Sequence, residues 1–461
     1  MVQAIPFLVG EASGSHADPV VPVLLALVLL TVAAVLGGRL MTMVKQPPVL
    51  GELMVGLLIG NLAYALGNPG ITVLREGDTL RRIADLALSS NVSLSEAALR
   101  LLPAGSHAER ISSILAGTNG LDYVAVYSFV DLLSRIAILV LLFLVGLETN
   151  IREMKRVGQT AFFVAVIGVL APMALGLGTM RLLHPDSALA RDLFIGGILT
   201  ATSVGITARV LRDLRRDTTD EARVILGAAV LDDVLSLIVL AVVSALALTG
   251  TVSVWSIGWT TAKAALFLGG SLSIGIWITP WVARRLAGAG IHNVKLLAGW
   301  IFAFFLAWLA SGAGLAAIVG AFAAGVILND IFDKELEGLS LRELLSPVES
   351  LIVPLFFVWM GIQVKLEALA SKDVLIAGAA LTAVAIVGKV VSGLGCPKRM
   401  NRLAVGFGMM PRGEVGLIFA GIGKSIGVVD DGLFSAVILL VMVTTLLTPL
   451  VLRWILRPKA L

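Results

Sequence analysis

Two adjacent carboxylates, Asp232 and Asp233, stand in the middle of an apolar run, residues 219–249, that is long enough to cross a bilayer. A charged side chain at the centre of a membrane helix costs roughly 2.5–3.5 kcal/mol on insertion scales. Two in succession are hard to explain as packing. Helical neighbours are rotated by ~100°, so one carboxylate can face a water-filled path while the other faces a partner helix. The rest of the chain reads as the apparatus that holds this pair and exposes it in turn to the two sides.

The composition agrees with a polytopic membrane protein. Of 461 residues, 58% are hydrophobic and 14% charged, against about 25% charged in soluble domains; the mean hydropathy is +0.97. The single cysteine, Cys396, excludes a disulfide within the chain. A net charge of +4 spread over short loops is no nucleic-acid signature. The N-terminus, Met1 to Asp18, lacks the basic region of a secretory signal, so the first helix is expected to be the targeting signal.

Apolar runs of ~20 residues are spanning candidates. They fall at 20–44, 48–66, 129–149, 158–183, 191–211, 219–249, 255–284, 291–310, 313–329, 344–366, 372–395, 400–427 and 431–456. The expected fold is therefore all-α with thirteen transmembrane helices. Basic residues of the short loops, such as Lys45, Arg152, Lys155, Arg156, Arg215, Arg216, Lys398 and Arg399, fall on one side. The positive-inside rule then puts the N-terminus outside and the C-terminus in the cytoplasm. Residues 67–128 form a long outside insert in which the stretches opening at Asp78 and Ser95 look like short amphipathic helices capped by those residues.

An internal repeat is visible. The stretch around Gly146 in the third span echoes that around Gly361 in the tenth, and Val55-Gly in the second echoes Ala324-Gly in the ninth. Both pairs lie an odd number of crossings apart, so equivalent helices enter from opposite sides. This implies two inverted six-helix repeats joined by the seventh helix, an arrangement typical of secondary transporters with sites near the midplane.

The repeats carry polar residues at matching places. In the fifth span Thr200, Thr202, Ser203 and Thr207 crowd around Gly205. These are poor helix formers, and a broken helix here would release carbonyls and hydroxyls to coordinate a cation; packing of small residues between helices is the simpler reading. The twelfth span has Pro411, three nearby glycines, Arg412 and Glu414. Proline breaks or kinks the helix near Phe407–Met410, and the two charges must be paired or hydrated at that depth. They would neutralise dipoles where two broken helices meet. Lys389 in the eleventh span needs a counter-charge, and Asp232 or Asp233 is the obvious one; snorkelling to the surface is the alternative. Glu52 and Glu148 lie near helix ends and read as interfacial. His16, His107, His184 and His292 fall outside the spans, and no nucleotide, zinc-protease or serine-hydrolase motif occurs. No cofactor and no enzymatic activity are expected.

Thr200-Ala-Thr-Ser-Val-Gly-Ile-Thr, Leu231-Asp-Asp, Gly388-Lys and Met410-Pro-Arg-Gly-Glu-Val-Gly, in this order, resemble the second monovalent cation:proton antiporter family. The likeness is closest to the NapA-type Na+/H+ antiporters, with Kef-type K+ systems more distant. It covers the membrane part except the 67–128 insert, which departs from compact members. The resemblance implies a homodimer. Helices in 20–66, 129–149 and 291–366 would form a scaffold, those in 158–249 and 372–456 an ion-transport core with broken helices five and twelve crossing beside the site, and 255–284 a linker. It also implies that Asp233 is the ion- and proton-binding carboxylate and that Asp232 is the acid paired with Lys389. This pattern is similar to electrogenic members. The host would be a bacterial plasma membrane or an internal energy-transducing membrane such as a thylakoid. The substrates implied are H+ and Na+, with Li+ or K+ as alternatives. A cation channel and a membrane-embedded aspartyl protease are competing classes, the latter disfavoured because its acids must face each other from two helices.

Overall fold

The computed structural model describes residues 20–44, 46–149, 158–213, 216, 219–249, 254–287, 293–329, 331–336 and 338–456. The segment Met1–Asp18, Lys45, Arg152, Lys155, Arg156, Arg215, His16 and His292 lie outside them. The described residues are helical, with no strand. The helices are α1 (Val20–Met43), α2 (Pro48–Ala65), α3 (Pro69–Leu74), α4 (Asp78–Ser90), α5 (Leu94–Leu101), α6 (Ser106–Ala116) and α7 (Gly120–Glu148). They continue as α8 (Gln159–Leu183), α9 (Leu189–Ile198), α10 (Val204–Asp213), α11 (Asp220–Thr249), α12 (Val254–Ala287), α13 (Val294–Gly312), α14 (Ala317–Leu328), α15 (Ile331–Glu335) and α16 (Leu341–Ile362). The last four are α17 (Lys372–Ser392), α18 (Arg402–Gly408), α19 (Glu414–Ser425) and α20 (Asp431–Ile455).

Ten of these helices are long and apolar enough to cross a membrane, and α14 is a shorter apolar helix. Two further apolar stretches are each interrupted, the first between α9 and α10 and the second between α18 and α19. The chain is thus a multi-pass integral membrane protein. The third span begins at Gly120 rather than at 129, because Tyr123, Val126 and Tyr127 are buried and extend the helix below its apolar segment.

The chain separates into two compact units, one of residues 1–137 and 350–367, the other of 138–349 and 368–461. In the first unit the insert is a packed layer, not a loose loop. Leu80 and Ile83 of α4, Ala97 and Ala98 of α5 and Ile111 of α6 are buried with Tyr127, Val358 and Trp359 in one core. Helix α4 repeats its apolar residues at Leu80, Ile83 and Ala87, which gives it a single inward stripe. The caps differ from those read in the sequence. Ser93, not Ser95, accepts the Glu96 N–H and opens α5, since it has the extended backbone a cap needs. Gly77 precedes α4 with φ of +55°, so Asp78 is the first helical residue and not the cap. Glu52 near the start of α2 is buried within the protein; Glu148 is half-exposed and pairs with Arg342.

Glycines set two helix crossings in matching register. In the first unit α2 meets α16: a Cβ on Gly56 would collide with the Val358 carbonyl, and one on Gly361 with the Leu53 carbonyl. In the second unit α7 meets α14: a Cβ on Gly325 would collide with the Phe143 carbonyl, and one on Gly146 with the Phe322 carbonyl. Each glycine therefore faces the carbonyl three residues before its partner glycine. An asparagine then seals each crossing. Asn61 Nδ2 donates to the Val364 carbonyl at 2.9 Å and Asn329 Nδ2 to the Thr149 carbonyl at 3.0 Å, in both cases three residues beyond the partner glycine. Small residues let the backbones approach closely.

An ion cluster fastens the insert within the first unit. Arg75 donates to Asn61 Oδ1 and to the Val364 carbonyl, and pairs with Glu367 at 2.8 Å. Its neighbour Glu76 is buried between Lys365 Nζ at 3.0 Å and His107 Nε2 at 3.2 Å. Burial pushes the Glu76 carboxyl up, but the His107 hydrogen bond and the Lys365 ammonium pull it down further, and it ends below its ordinary value of 4.5. A depressed carboxyl stabilises the fold above its unfolded value and ceases to do so as pH falls through the folded one. Glu76→Gln should therefore lower the melting temperature of the purified protein at pH 7, and the gap from wild type should close as the pH is taken below 4.5. A pH-independent gap would mean that Glu76 acts by shape alone.

Candidate functional site

The two interrupted stretches meet at their breaks. Helix α9 ends at Ile198 because the following Leu199-Thr-Ala-Thr-Ser has hydroxyls that compete for backbone partners. Helix α18 ends at Gly408, and Pro411 keeps residues 409–413 out of the helix. The exposed backbone groups of each break are satisfied by the other. Thr202 Oγ1 donates to the Met409 carbonyl at 3.1 Å, Thr207 Oγ1 to the Gly408 carbonyl at 2.6 Å, and Ser203 N–H to the Pro411 carbonyl at 2.8 Å. Gly205 lies in the first turn of α10, just past the break. Thr200 turns away, donating to the Gly197 carbonyl and lying 3.2 Å from Ser236 Oγ of α11.

Arg412 and Glu414 do not pair with each other. Arg412 is fully buried and sends Nη2 to the Leu199 carbonyl at 2.5 Å and to the Ala385 carbonyl at 3.3 Å, with Nη1 reaching the Met410 carbonyl at 3.4 Å. Glu414 is the first residue of α19 and lies 3.4 Å from Ser203 Oγ, next to the start of α10. The cation thus sits at the carbonyl ends of α9 and α18, and the anion at the N–H ends of α10 and α19. Each is the sign that the half-helix dipoles favour.

Beside this crossing lie the acids. Asp232 and Lys389 are fully buried, with Lys389 Nζ at 2.9 and 3.1 Å from the two Asp232 oxygens. Lys389 does not snorkel. Asp233 points elsewhere: it is 9% exposed and makes no hydrogen bond or ion pair with a described residue. Asp232, Glu414 and Lys389 are the charges in its surroundings. One carboxylate is therefore neutralised by an ammonium, and its neighbour, also buried, has no such counter-charge among the described residues.

Some supporting contacts carried no signal in the sequence. Gly168 of α8 lies over the ion pair; a Cβ there would be 3.6 Å from Asp232 Oδ1 and 3.7 Å from Lys389 Nζ. Gly388 packs against Pro172, where a Cβ would come within 2.7 Å of the backbone. Thr445 of α20 donates to the Arg412 carbonyl. Helix-interior Gly and Pro in apolar runs are common, so only the contact distinguishes these.

Residues 26–457 match the family described as sodium/hydrogen exchanger, transmembrane. The chain belongs to the sodium/hydrogen exchanger family. It is 38% identical over 435 residues to the high-affinity Na+/H+ antiporter NhaS3 of Synechocystis sp., covering 93% of this chain and 88% of the relative. It is 30% identical over 380 residues to the Na+/H+-K+ antiporter GerN of Bacillus cereus, covering 81% of this chain and 95% of GerN. The fold is similar to that of the sodium proton antiporter MjNhaP1 from Methanocaldococcus jannaschii, with a TM-score of 0.59 at 15% identity, over 94% of this chain and 96% of that one.

Removing one partner of a buried ion pair leaves an uncompensated charge and costs about 3–5 kcal/mol, whereas replacing both with apolar groups is close to neutral. Lys389→Met alone should therefore lower thermal stability in detergent sharply, and Asp232→Leu/Lys389→Met should recover most of the loss. Equal melting temperatures for the single variant and wild type would show that the pair carries no such constraint.

Proposed function

We propose that this chain is a secondary active Na+/H+ antiporter that works by alternating access at Asp233, with Na+ (or Li+) and H+ competing for one carboxylate. The observation that carries it is the asymmetry of the acid pair: Asp232 is paired with Lys389, while Asp233, buried beside two broken helices, has no ion pair or hydrogen bond with a described residue. Family membership and the similarity to the Synechocystis antiporter support the same reading.

In this scheme Asp233 binds H+ or a dehydrated Na+, with carbonyl and hydroxyl oxygens from the breaks, including Thr200, Thr202 and Ser203, as further ligands. The core then carries the loaded site from one face to the other. An unloaded carboxylate is too costly to move past the apolar barrier, so transport without a bound ion is forbidden and exchange is obligatory. When Na+ displaces Lys389 from Asp232, the ammonium can release its proton. Two H+ then move per Na+, and exchange is electrogenic.

We extend the proposal to architecture. The ten long helices, α14 and the two interrupted stretches make thirteen crossings, arranged as two inverted six-helix repeats linked by 255–284. The glycine register supports this: the glycine–carbonyl contacts of the α2–α16 crossing repeat those of the α7–α14 crossing with the order of the helices exchanged. Residues 20–66, 129–149 and 291–366 serve as the scaffold of a homodimer, and 158–249 with 372–456 as the moving core, with Gly205, Pro411, Arg412 and Glu414 holding the breaks. The N-terminus lies outside and the C-terminus in the cytoplasm of a bacterial plasma membrane. Exchange of K+ for H+ is the second reading, favoured by the likeness to GerN.

Asp233→Asn should abolish cation-dependent proton movement in proteoliposomes, with normal folding judged by thermal melting. Exchange near the wild-type rate would remove Asp233 from the centre of the mechanism. A series of Li+, Na+ and K+ in the same vesicles separates the two readings.

A further inference from the structure

Away from the acid pair, a second carboxylate is buried with nothing to neutralise it. Glu52 of α2 is 6% exposed and makes no hydrogen bond or ion pair with a described residue. It is held there by the crossing of α1 and α2, where Gly37 and Gly51 bring the two backbones into contact. Its Oε1 lies against Gly38, at 3.4 Å from where a Cβ would stand. The carboxylate lines a pocket of about 240 Å³ that also includes Thr31, Arg39 and Thr42 of α1 and Ser350 of α16.

The chemistry of the walls selects a ligand. Arg39 and Glu52 line the same pocket yet form no ion pair, so the pocket presents one positive and one negative group that are separately available. Thr31 Oγ1 donates to the Leu27 carbonyl and Thr42 Oγ1 to the Arg39 carbonyl, both at 2.7 Å. Their protons are spent, and their oxygens can only accept. Thr31 and Thr42 stand ~16 Å apart along α1, so one ligand group can reach Glu52 and only one of them; Glu52 suits the N–H donors of a primary ammonium, while Arg39 suits a phosphate. A bare cation would leave Arg39 opposing it. An anionic headgroup would leave Glu52 uncompensated, and a choline group has no N–H to give.

Position points to a lipid. Arg39, Thr42 and Glu52, at one end of the pocket, lie where α1 ends and α2 begins, and a spanning helix ends at headgroup depth. Val35 and Leu351 at its rim are 54% and 57% exposed. From there Leu24, Val28 and Val32, all about half-exposed, continue along one face of α1 at helical spacing. We propose that this pocket binds the phosphoethanolamine headgroup of an aminophospholipid, with the ammonium on Glu52 and the phosphate on Arg39, and with an acyl chain along the Leu24–Val35 strip. This site is independent of the antiport reading, since it shares no residue with the acid pair.

The test is lipid enrichment. The full-length protein is purified in detergent, reconstituted into nanodiscs of equal phosphatidylethanolamine, phosphatidylglycerol and phosphatidylcholine, and the lipids retained on re-extraction are measured by native mass spectrometry. Phosphatidylethanolamine should be retained about tenfold over each of the others, the factor one charge-assisted hydrogen bond supplies. Glu52→Gln should remove that preference. Arg39 is exposed, so Arg39→Gln keeps the test open if the buried variant fails to fold, and it too should cost about tenfold. Equal retention of the three lipids by the wild type, or a preference unchanged in both variants, overturns the site. Displacement of the lipid by millimolar free phosphoethanolamine would assign the pocket to a soluble solute and overturn the lipid.

Discussion

A carboxylate deep in a membrane protein has no water to stabilise it, and everything around Asp232 and Asp233 answers that constraint. Lys389 supplies a full counter-charge to one acid at hydrogen-bonding distance. Such a pair is not a strong source of stability, because desolvation offsets most of the attraction. What it does is hold a charged carboxylate in place inside the protein. In the proposed mechanism the second acid, one residue on and rotated away, is the place where competition begins.

The two helix breaks solve the same problem without adding charge. Ending α9 and α18 inside the protein exposes carbonyl oxygens, and starting α10 and α19 there exposes N–H groups. Left unsatisfied these would each cost free energy. Here they satisfy one another through Ser203, Thr202 and Thr207, and the residual dipoles are met by Arg412 and Glu414. Polar groups of both signs thus lie beside the acids in a geometry fixed by backbone, which is stiffer than side chains reaching in from distant helices. Close glycine crossings in each unit add rigidity in the same way.

The sequence carried the acid pair and the breaks plainly, since two aspartates in an apolar run and Pro411 among glycines have few physical readings. Helix positions followed from the length of each apolar run, and the family followed from four motifs in order. Other features were illegible for definite reasons. Arg412 and Glu414 read as charges that neutralise dipoles at the breaks; only the fold reveals that backbone carbonyls satisfy the arginine. Glu52 sits four residues into a helix, where a carboxylate usually reaches water, and the Gly37–Gly51 contact that closes over it joins two helices. Ser93 and Ser95 are equally good caps by composition, and the chain direction at the turn decides between them. Gly168 is one glycine among 48, marked only by the ion pair beneath it.

Proton release on cation binding tests the central claim most directly. Na+ is titrated into purified protein in weakly buffered detergent while bulk pH and bound Na+ are followed together. Competition at Asp233 with Lys389 freed from Asp232 predicts close to two protons released per Na+ bound, falling to none in the protein with Asp233 replaced by Asn. Saturable Na+ binding with no proton released at any pH where the protein is folded would contradict the account.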